Sequence, residues 1–538
     1  MLDLAPEAHD GKINELIRVM RERGIKNALT IIANLNNPHI ADDFERFLVQ
    51  FIKAGYDVKG MGERDPVFRA LNMTLYEITL PERGKEEKEK TVKELVSSME
   101  QFYAGMTSVS EEEKGPSYFS LELAVSNHSD EFIFYAAVPD GKKNLFEKQI
   151  LSIFHNAKII EKKDDYNIFN EAGVSVGSVA NLSTYTVLPL KTYEQFDHDP
   201  LNVILNSFSK IDLHGEGAAI QIIIKPTKHD YIRDYKGVLK KVSEGEKLKE
   251  AVLANEWATH FKEMGKELLG FGPDKKKKEE EEKKPPTVDQ VVSEQIKNKV
   301  SSPIVEVNIR IVASSNNEKG SVEIIADLEF AFNQFENSNG NKITFNRFQG
   351  SKLKGLLNDF SFRTWNKKSV LPLSLRELTS VMHLPSTVIK TAPQLKISKA
   401  GTAPIPLGLP TSGIFMGVNL DRNNESKIYM GREDRMRHFY CVGQTGTGKT
   451  NFMKNMIIQD IQNGEGVCYI DPHGTDIKDI LAAIPPDRYE DVIYFDPAYT
   501  PRPMALNMLE YNRAYPEQKT FVVNELFSIF QKLYGAVP

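Results

Sequence analysis

Gly443-Gln444-Thr445-Gly446-Thr447-Gly448-Lys449-Thr450 fits the pattern G-x-x-x-x-G-K-[ST] at every fixed position. No other stretch limits the fold as tightly, because such a loop needs a strand to enter it and a helix to leave it. Its flanks supply both. HFYCV, residues 438–442, is a short apolar run that predicts a strand. NFMKNMIIQDIQNG, residues 451–464, predicts a helix that is apolar at Phe452, Met453, Met456, Ile457 and Ile461 and is closed by Gly464. Glycines let the backbone turn with few side chains in the way, so successive N–H groups converge on one anion. The helix start adds unpaired amides and the positive end of its dipole. Residues Gly443 to Asn451 are therefore the expected phosphate cradle, with ATP and Mg²⁺ as its ligands. Lys449 would reach the β- and γ-phosphates as a point charge, and the Thr450 hydroxyl would ligate Mg²⁺.

The residues after the loop extend the same pattern. VCYID, residues 467–471, predicts a buried strand ending in Asp471. IKDILAAI predicts a short helix, and DVIYFD a second buried strand ending in Asp496. Strands alternating with helices predict a parallel sheet, with Asp471 and Asp496 at the carboxyl ends where ligands sit. Lys449 and Asp471 are the candidate catalytic residues. His473 is a candidate sensor of the γ-phosphate or a structural partner of Asp471. The last segment, PEQKTFVVNELFSIFQKLYG, predicts a helix covering that sheet.

Upstream, residues 1–115 read mainly helical. Apolar stripes run along Ile13, Leu16, Ile17 and Met20, then Phe44, Phe47, Leu48, Phe51 and Ile52, then Val92, Leu95, Val96, Met99 and Phe102. Residues 116–226 and 303–385 read as two α+β domains, in which SYFSLELAV, EFIFYAAVP and SPIVEVNIRIVAS are strand-like; they are also a candidate internal repeat. Between them, 227–302 is a helical segment holding a charged low-complexity linker at 271–290, whose lysine and glutamate blocks cannot bury a core. Residues 386–430 form a proline-rich connector with short strands at GIFMGVNL and SKIYMG, and 431–538 hold the loop domain.

Composition removes several classes. A net charge of −6 gives no global attraction to nucleic acid or to anionic membrane, so contact with DNA needs a local basic surface. The two cysteines, Cys441 and Cys468, rule out a disulfide framework, fit a reducing cytosol and are expected buried. No window approaches the ~18 apolar residues of a membrane span, and MLDLAPEAHDGKINE is not a signal peptide. The expected location is cytoplasmic, with peripheral attachment at the membrane through partners. No metal-ligand spacing of His and Cys occurs, and no G-x-S-x-G elbow.

MGREDRMRHFYCVGQTGTGKTNF followed by GVCYIDPHGTDIKDILAAIPPDRYEDVIYFDPA resembles the HerA–FtsK-type motor ATPases, and within them the TraG-like coupling and DNA-transfer ATPases of conjugation and type IV secretion. Arg437 and His438 before the strand, the loop, and Asp471-Pro472-His473-Gly474 carry the resemblance, which is close over 417–509. It implies an ATP-driven ring, of six subunits, that moves DNA or a protein–DNA substrate. It also implies a HerA-like helicase in DNA processing as the alternative; a reading from a different class is that this chain is a nucleotide-binding scaffold without efficient turnover. The family's second acidic motif, an apolar strand ending in Asp-Glu, does not occur between Gly443 and Pro538; VCYID and VIYFD are each followed by proline. The expectation is a C-terminally truncated chain, with the glutamate and an arginine finger beyond Pro538. The predicted fold class is multidomain α/β and α+β: helical and mixed α+β domains, then an incomplete RecA-like P-loop domain with a parallel sheet.

Overall fold

A computed structural model describes residues 10–535 except 36, 55, 57, 59, 61–64, 81–91, 108–115, 128, 130, 155–156, 163–164, 212–214, 256–288, 386–393, 397–404, 407, 422–423 and 506. Most of the charged linker and the proline-rich part of the connector lie outside the described residues. Two compact units form: Met1–Pro404 with Leu420–Asn424, and Ile405–Asn419 with Glu425–Pro538.

The first unit is built on a nine-stranded sheet. Its strands are β1 (Met73–Thr79), β2 (Phe119–Val125), β3 (Phe132–Pro139), β4 (Lys158–Lys162), β5 (Val174–Leu182), β6 (Gly217–Lys225), β7 (Ile304–Ser315), β8 (Ile343–Arg347) and β9 (Leu371–Ser374). They run in the order β4-β1-β3-β2-β6-β7-β5-β8, with β9 also on β7, and every pairing whose register is resolved is antiparallel. The long β7 serves two neighbours on one edge: Ile304–Val307 pair with β9, and Arg310–Ser315 with β5. Its other edge pairs with β6 from Glu306 to Ser314. The segments 116–226 and 303–385 thus share one sheet instead of forming two domains. The reason is local: β6 and β7 are buried on both faces along nearly their whole length, polar Gln221, Asn308 and Arg310 included, which suits central strands of one covered sheet.

One face of the sheet carries the helices Val92–Thr107, Lys143–Ile153, Leu201–Phe208, Glu318–Ala331 and Leu375–Val381, packed around Met99, Phe102, Phe119, Phe146 and Phe332. The other face meets Gly350–Ser361 and the segment of Tyr166 to Phe169. The helices Asp10–Arg23, Ile25–Leu35 and Pro38–Lys53 bury Leu16, Met20, Phe44, Phe47, Leu48 and Phe51 in a core of their own, joined by Leu71 and Phe362. Of the stripes expected on the first and third of these helices, Leu16, Met20, Phe44, Phe47, Leu48 and Phe51 are buried and Ile13, Ile17 and Ile52 are partly buried. Asn37 caps Pro38–Lys53 by accepting the amides of His39 and Ile40 at 3.1 and 3.3 Å, a contact worth about 1 kcal/mol.

In the second unit β10 (Ile414–Asp421) pairs with β11 (Asn424–Met430), followed by the helices Lys449–Gln462, Ile477–Ala482 and Gln518–Tyr534. Among the described residues of 431–535 no strand ladder forms. The runs expected as buried strands lie in the open: Tyr440 is 88%, Ile470 86% and Ile493 83% exposed. Cys441 is partly exposed and Cys468 exposed, not buried as expected. A parallel sheet needs cover on both faces, and Gln518–Tyr534, foreseen as that cover, buries none of its residues. The mixed α/β, multidomain character is present; the large sheet is antiparallel.

Candidate nucleotide-binding site

The phosphate loop leads straight into the helix Lys449–Gln462. Gly448 sits at its N-cap with φ 89° and ψ 11°, and Gly446 has φ 83°, a left-handed backbone that side chains rarely adopt. Gly443 is crowded instead: a Cβ there would lie 2.6 Å from Thr447 Oγ1 and 3.2 Å from Lys449 Cγ, so those side chains would have to shift. The Thr447 hydroxyl donates to the Gln444 carbonyl at 2.8 Å. Lys449 Nζ bends back to donate to the carbonyls of Gly443 at 2.5 Å and Gln444 at 2.7 Å. The ammonium therefore ties the entry of the loop back to the start of the helix. The Phe452 amide bonds to the Gly448 carbonyl at 2.9 Å, so the amides of Lys449, Thr450 and Asn451 precede the first intrahelical bond of this kind and stay available to an acceptor. Residues 442–448, Thr450 and Asn451 are exposed.

Three sets of contacts fix the helix behind the loop. The Arg435 guanidinium grips both oxygens of the buried Asp460. Gln459 pairs through its side chain with the amide and carbonyl of Phe415 in β10, at 2.9 and 3.0 Å. Arg488 Nη1 donates to the carbonyls of Ile461 at 2.7 Å and Glu465 at 3.1 Å, which caps the helix end before Gly464. A fourth contact reaches forward: Lys454 Nζ lies 3.1 Å from Asp476 and 2.7 Å from Asp479.

Asp471 lies on the turn that Lys454 engages. Its Oδ1 accepts the His473 amide at 2.9 Å, and its Oδ2 the Asp476 amide at 3.1 Å. These backbone bonds, His473 first, hold its carboxyl below the ordinary aspartate range. Asp471 is ionised at neutral pH and shapes the Asp-Pro-His-Gly turn. His473 meets Asp471 through its main chain. Asp496 accepts the Ala498 amide at 3.0 Å and organises a separate turn.

The structure thus gathers Gly443 to Asn451 in one loop and ties the Asp471 turn to the same helix. Lys454, Asp476, Arg435, Asp460 and Arg488 were not foreseen. Lys454 carried the only sequence signal, as a cation five residues past Lys449 opposite the acid-rich run Asp471–Asp479. A left-handed glycine pair, free first-turn amides, an ammonium bonded back to the loop and an exposed Thr450 fit a nucleoside triphosphate with Mg²⁺. Among the described residues no cluster of three His, Cys, Asp or Glu forms a protein-only metal site, and no helix is long and apolar enough to cross a membrane.

Comparison with known families agrees with this geometry. Residues 417–533 match the family described as helicase HerA, central domain, which defines the class: a HerA-type P-loop ATPase domain. Residues 81–396, more than half of the chain, match the family described as domain of unknown function (DUF8128), and the chain belongs to that family. A search of curated proteins finds no match.

Proposed function

We propose that the protein is the ATP-binding subunit of a HerA-type motor that moves DNA. The observation carrying this is the preformed loop, with Lys449 curled over Gly443 and Gln444 inside a segment similar to the HerA central domain. In the proposal, amides from Gly443 to Asn451 bind the phosphate oxygens, and Lys449 leaves its two carbonyls to meet the β- and γ-phosphates. Thr450 would ligate Mg²⁺, which would offset phosphate charge, and Asp471, ionised and held by two amides, would be the acidic group that supports it. The apolar runs 438–442, 467–471 and 491–496 become neighbouring strands of a parallel RecA-like sheet once covered, which their exposure favours. Subunits assemble as a ring, by resemblance a hexamer.

A coupling role in conjugation or type IV secretion is the narrower form of the proposal; genes for pilus or channel parts beside this one would support it, and DNA-repair neighbours would favour the helicase form. The exposed apolar runs also favour a second reading, in which this chain binds ATP as a scaffold and hydrolyses it poorly. The test is steady-state hydrolysis with and without duplex DNA. DNA-stimulated turnover that falls at least ~100-fold in Lys449→Ala supports the motor. Turnover indifferent to DNA contradicts it, and binding without turnover selects the scaffold.

A further inference from the structure

The geometry points to Lys454 as a positioning residue that couples occupancy of the phosphate loop to the Asp471–Asp476 turn. The inference rests on the nucleotide-site reading and deepens it. Lys454 stands one turn beyond Thr450 on the helix that opens at Lys449. Its side chain is only 13% exposed, yet it reaches two carboxylates, Asp476 at 3.1 Å and Asp479 at 2.7 Å. The Asp479 arm is the shorter and stronger contact but is 66% exposed and screened by solvent; the Asp476 carboxylate, 27% exposed, is the better sheltered and links Lys454 to the turn. Asp476 in turn gives its amide to Asp471 Oδ2 at 3.1 Å. A continuous path of charge and hydrogen bonds therefore runs from the loop helix through Lys454 and Asp476 to the Asp471 carboxylate. The helices Lys449–Gln462 and Ile477–Ala482 also touch, so the path has packing beneath it.

Phosphate on the first-turn amides fixes the start of the helix. A fixed helix start holds Lys454, and Lys454 holds the turn. Without the ammonium, Asp476 and Asp479 repel each other, and the turn loses its tie to the loop.

The test uses the full chain and MgADP as the probe, with calorimetry for binding and amide hydrogen exchange for residues 443–451 and 473–476. In the wild type and in Lys454→Arg, MgADP should slow exchange in both segments, the second by at least about fivefold. In Lys454→Met, MgADP should still protect 443–451 but leave 473–476 unchanged. A purely structural role would raise exchange equally with and without nucleotide, and would not remove the nucleotide-induced difference. Equal protection of 473–476 by MgADP in Lys454→Met overturns the inference and leaves the nucleotide reading intact. Failure of the wild type to bind MgADP overturns both. Asp476→Asn breaks the same link from the other side and replaces Lys454→Met should that variant fail to fold; retained protection of the turn there also overturns the coupling.

Discussion

Arg363 occupies a backbone conformation, φ 49°, that costs a non-glycine residue about 1 kcal/mol or more. Its guanidinium shows what offsets that cost. Nε and Nη2 donate to Glu122 at 3.0 Å each, and Nη1 and Nη2 to Asp165 at 2.5 and 3.0 Å, all nearly out of water. Glu122 also accepts from Tyr166 at 2.7 Å and Gln221 at 3.1 Å, and Gln221 accepts from the buried Arg310 at 2.9 Å. Removing the guanidinium leaves two carboxylates facing each other underneath Tyr166. Arg363→Ala should destabilise the first unit by about 3–5 kcal/mol in chemical denaturation. Arg363→Gly, which relieves the backbone, should cost about 1 kcal/mol less; equal losses would show that the conformation carries no strain. None of this was visible in SFRTWN. Glu122 and Gln221 sit in alternating strands where a polar residue normally faces solvent, and only the register places them side by side under a cover. The phosphate loop was legible because its chemistry is local: eight consecutive residues hold nearly all of it.

At the scale of an element, the helix Pro38–Lys53 was predicted by its apolar stripe, but its charged inner face was not. Asp42 and Glu45, one turn apart, are both buried beside Arg46, Asp165 and Arg363. Glu45 lines a small cavity of about 30 Å³ with Arg46, Lys53, Lys162, Asp165 and Arg363. Burial, reinforced by Asp165 and Asp43 against Arg46, pushes Asp42 up to about 7, and burial raises Glu45 well above its usual range. His39 is also raised: burial opposes protonation, but Asp43 at 3.0 Å outweighs it. Carboxyls whose folded-state pKa is raised favour the folded state at low pH and lose that advantage as pH climbs towards the folded value. The raised histidine loses its contribution over the same climb. Asp43, held low mainly by His39 and Arg46 against its burial, loses its own contribution only in acid. The packing of this helix should therefore weaken by about 1–3 kcal/mol between pH 5 and pH 8. Amide exchange of residues 40–52, corrected for intrinsic rates, reads this directly, and Asp42→Asn should flatten the dependence. Protection that rises with pH would contradict the assignment.

Across the whole molecule, the sequence disclosed elements more readily than partners. The strands at 119–125, 132–139 and 304–315 and most helices fall where periodicity placed them. Pairing of β6 with β7 across the charged linker did not, because register between distant segments is settled by which faces must be covered. The second unit shows the converse. Its apolar runs promised a parallel sheet, yet among the described residues they remain unpaired and exposed, while the loop and its helix are fully built. Binding needs only the loop, the helix start, Lys449 and Thr450, so it is separable from turnover. The most direct test is calorimetric titration of the full chain with ATP in excess Mg²⁺. The predicted result is one site per chain with Kd on the order of micromolar, weakened at least ~10-fold in Lys449→Ala and by removal of Mg²⁺ with EDTA. Absence of saturable binding in the wild type, or equal affinity in Lys449→Ala, would contradict the assignment of residues 443–451 as a nucleotide site.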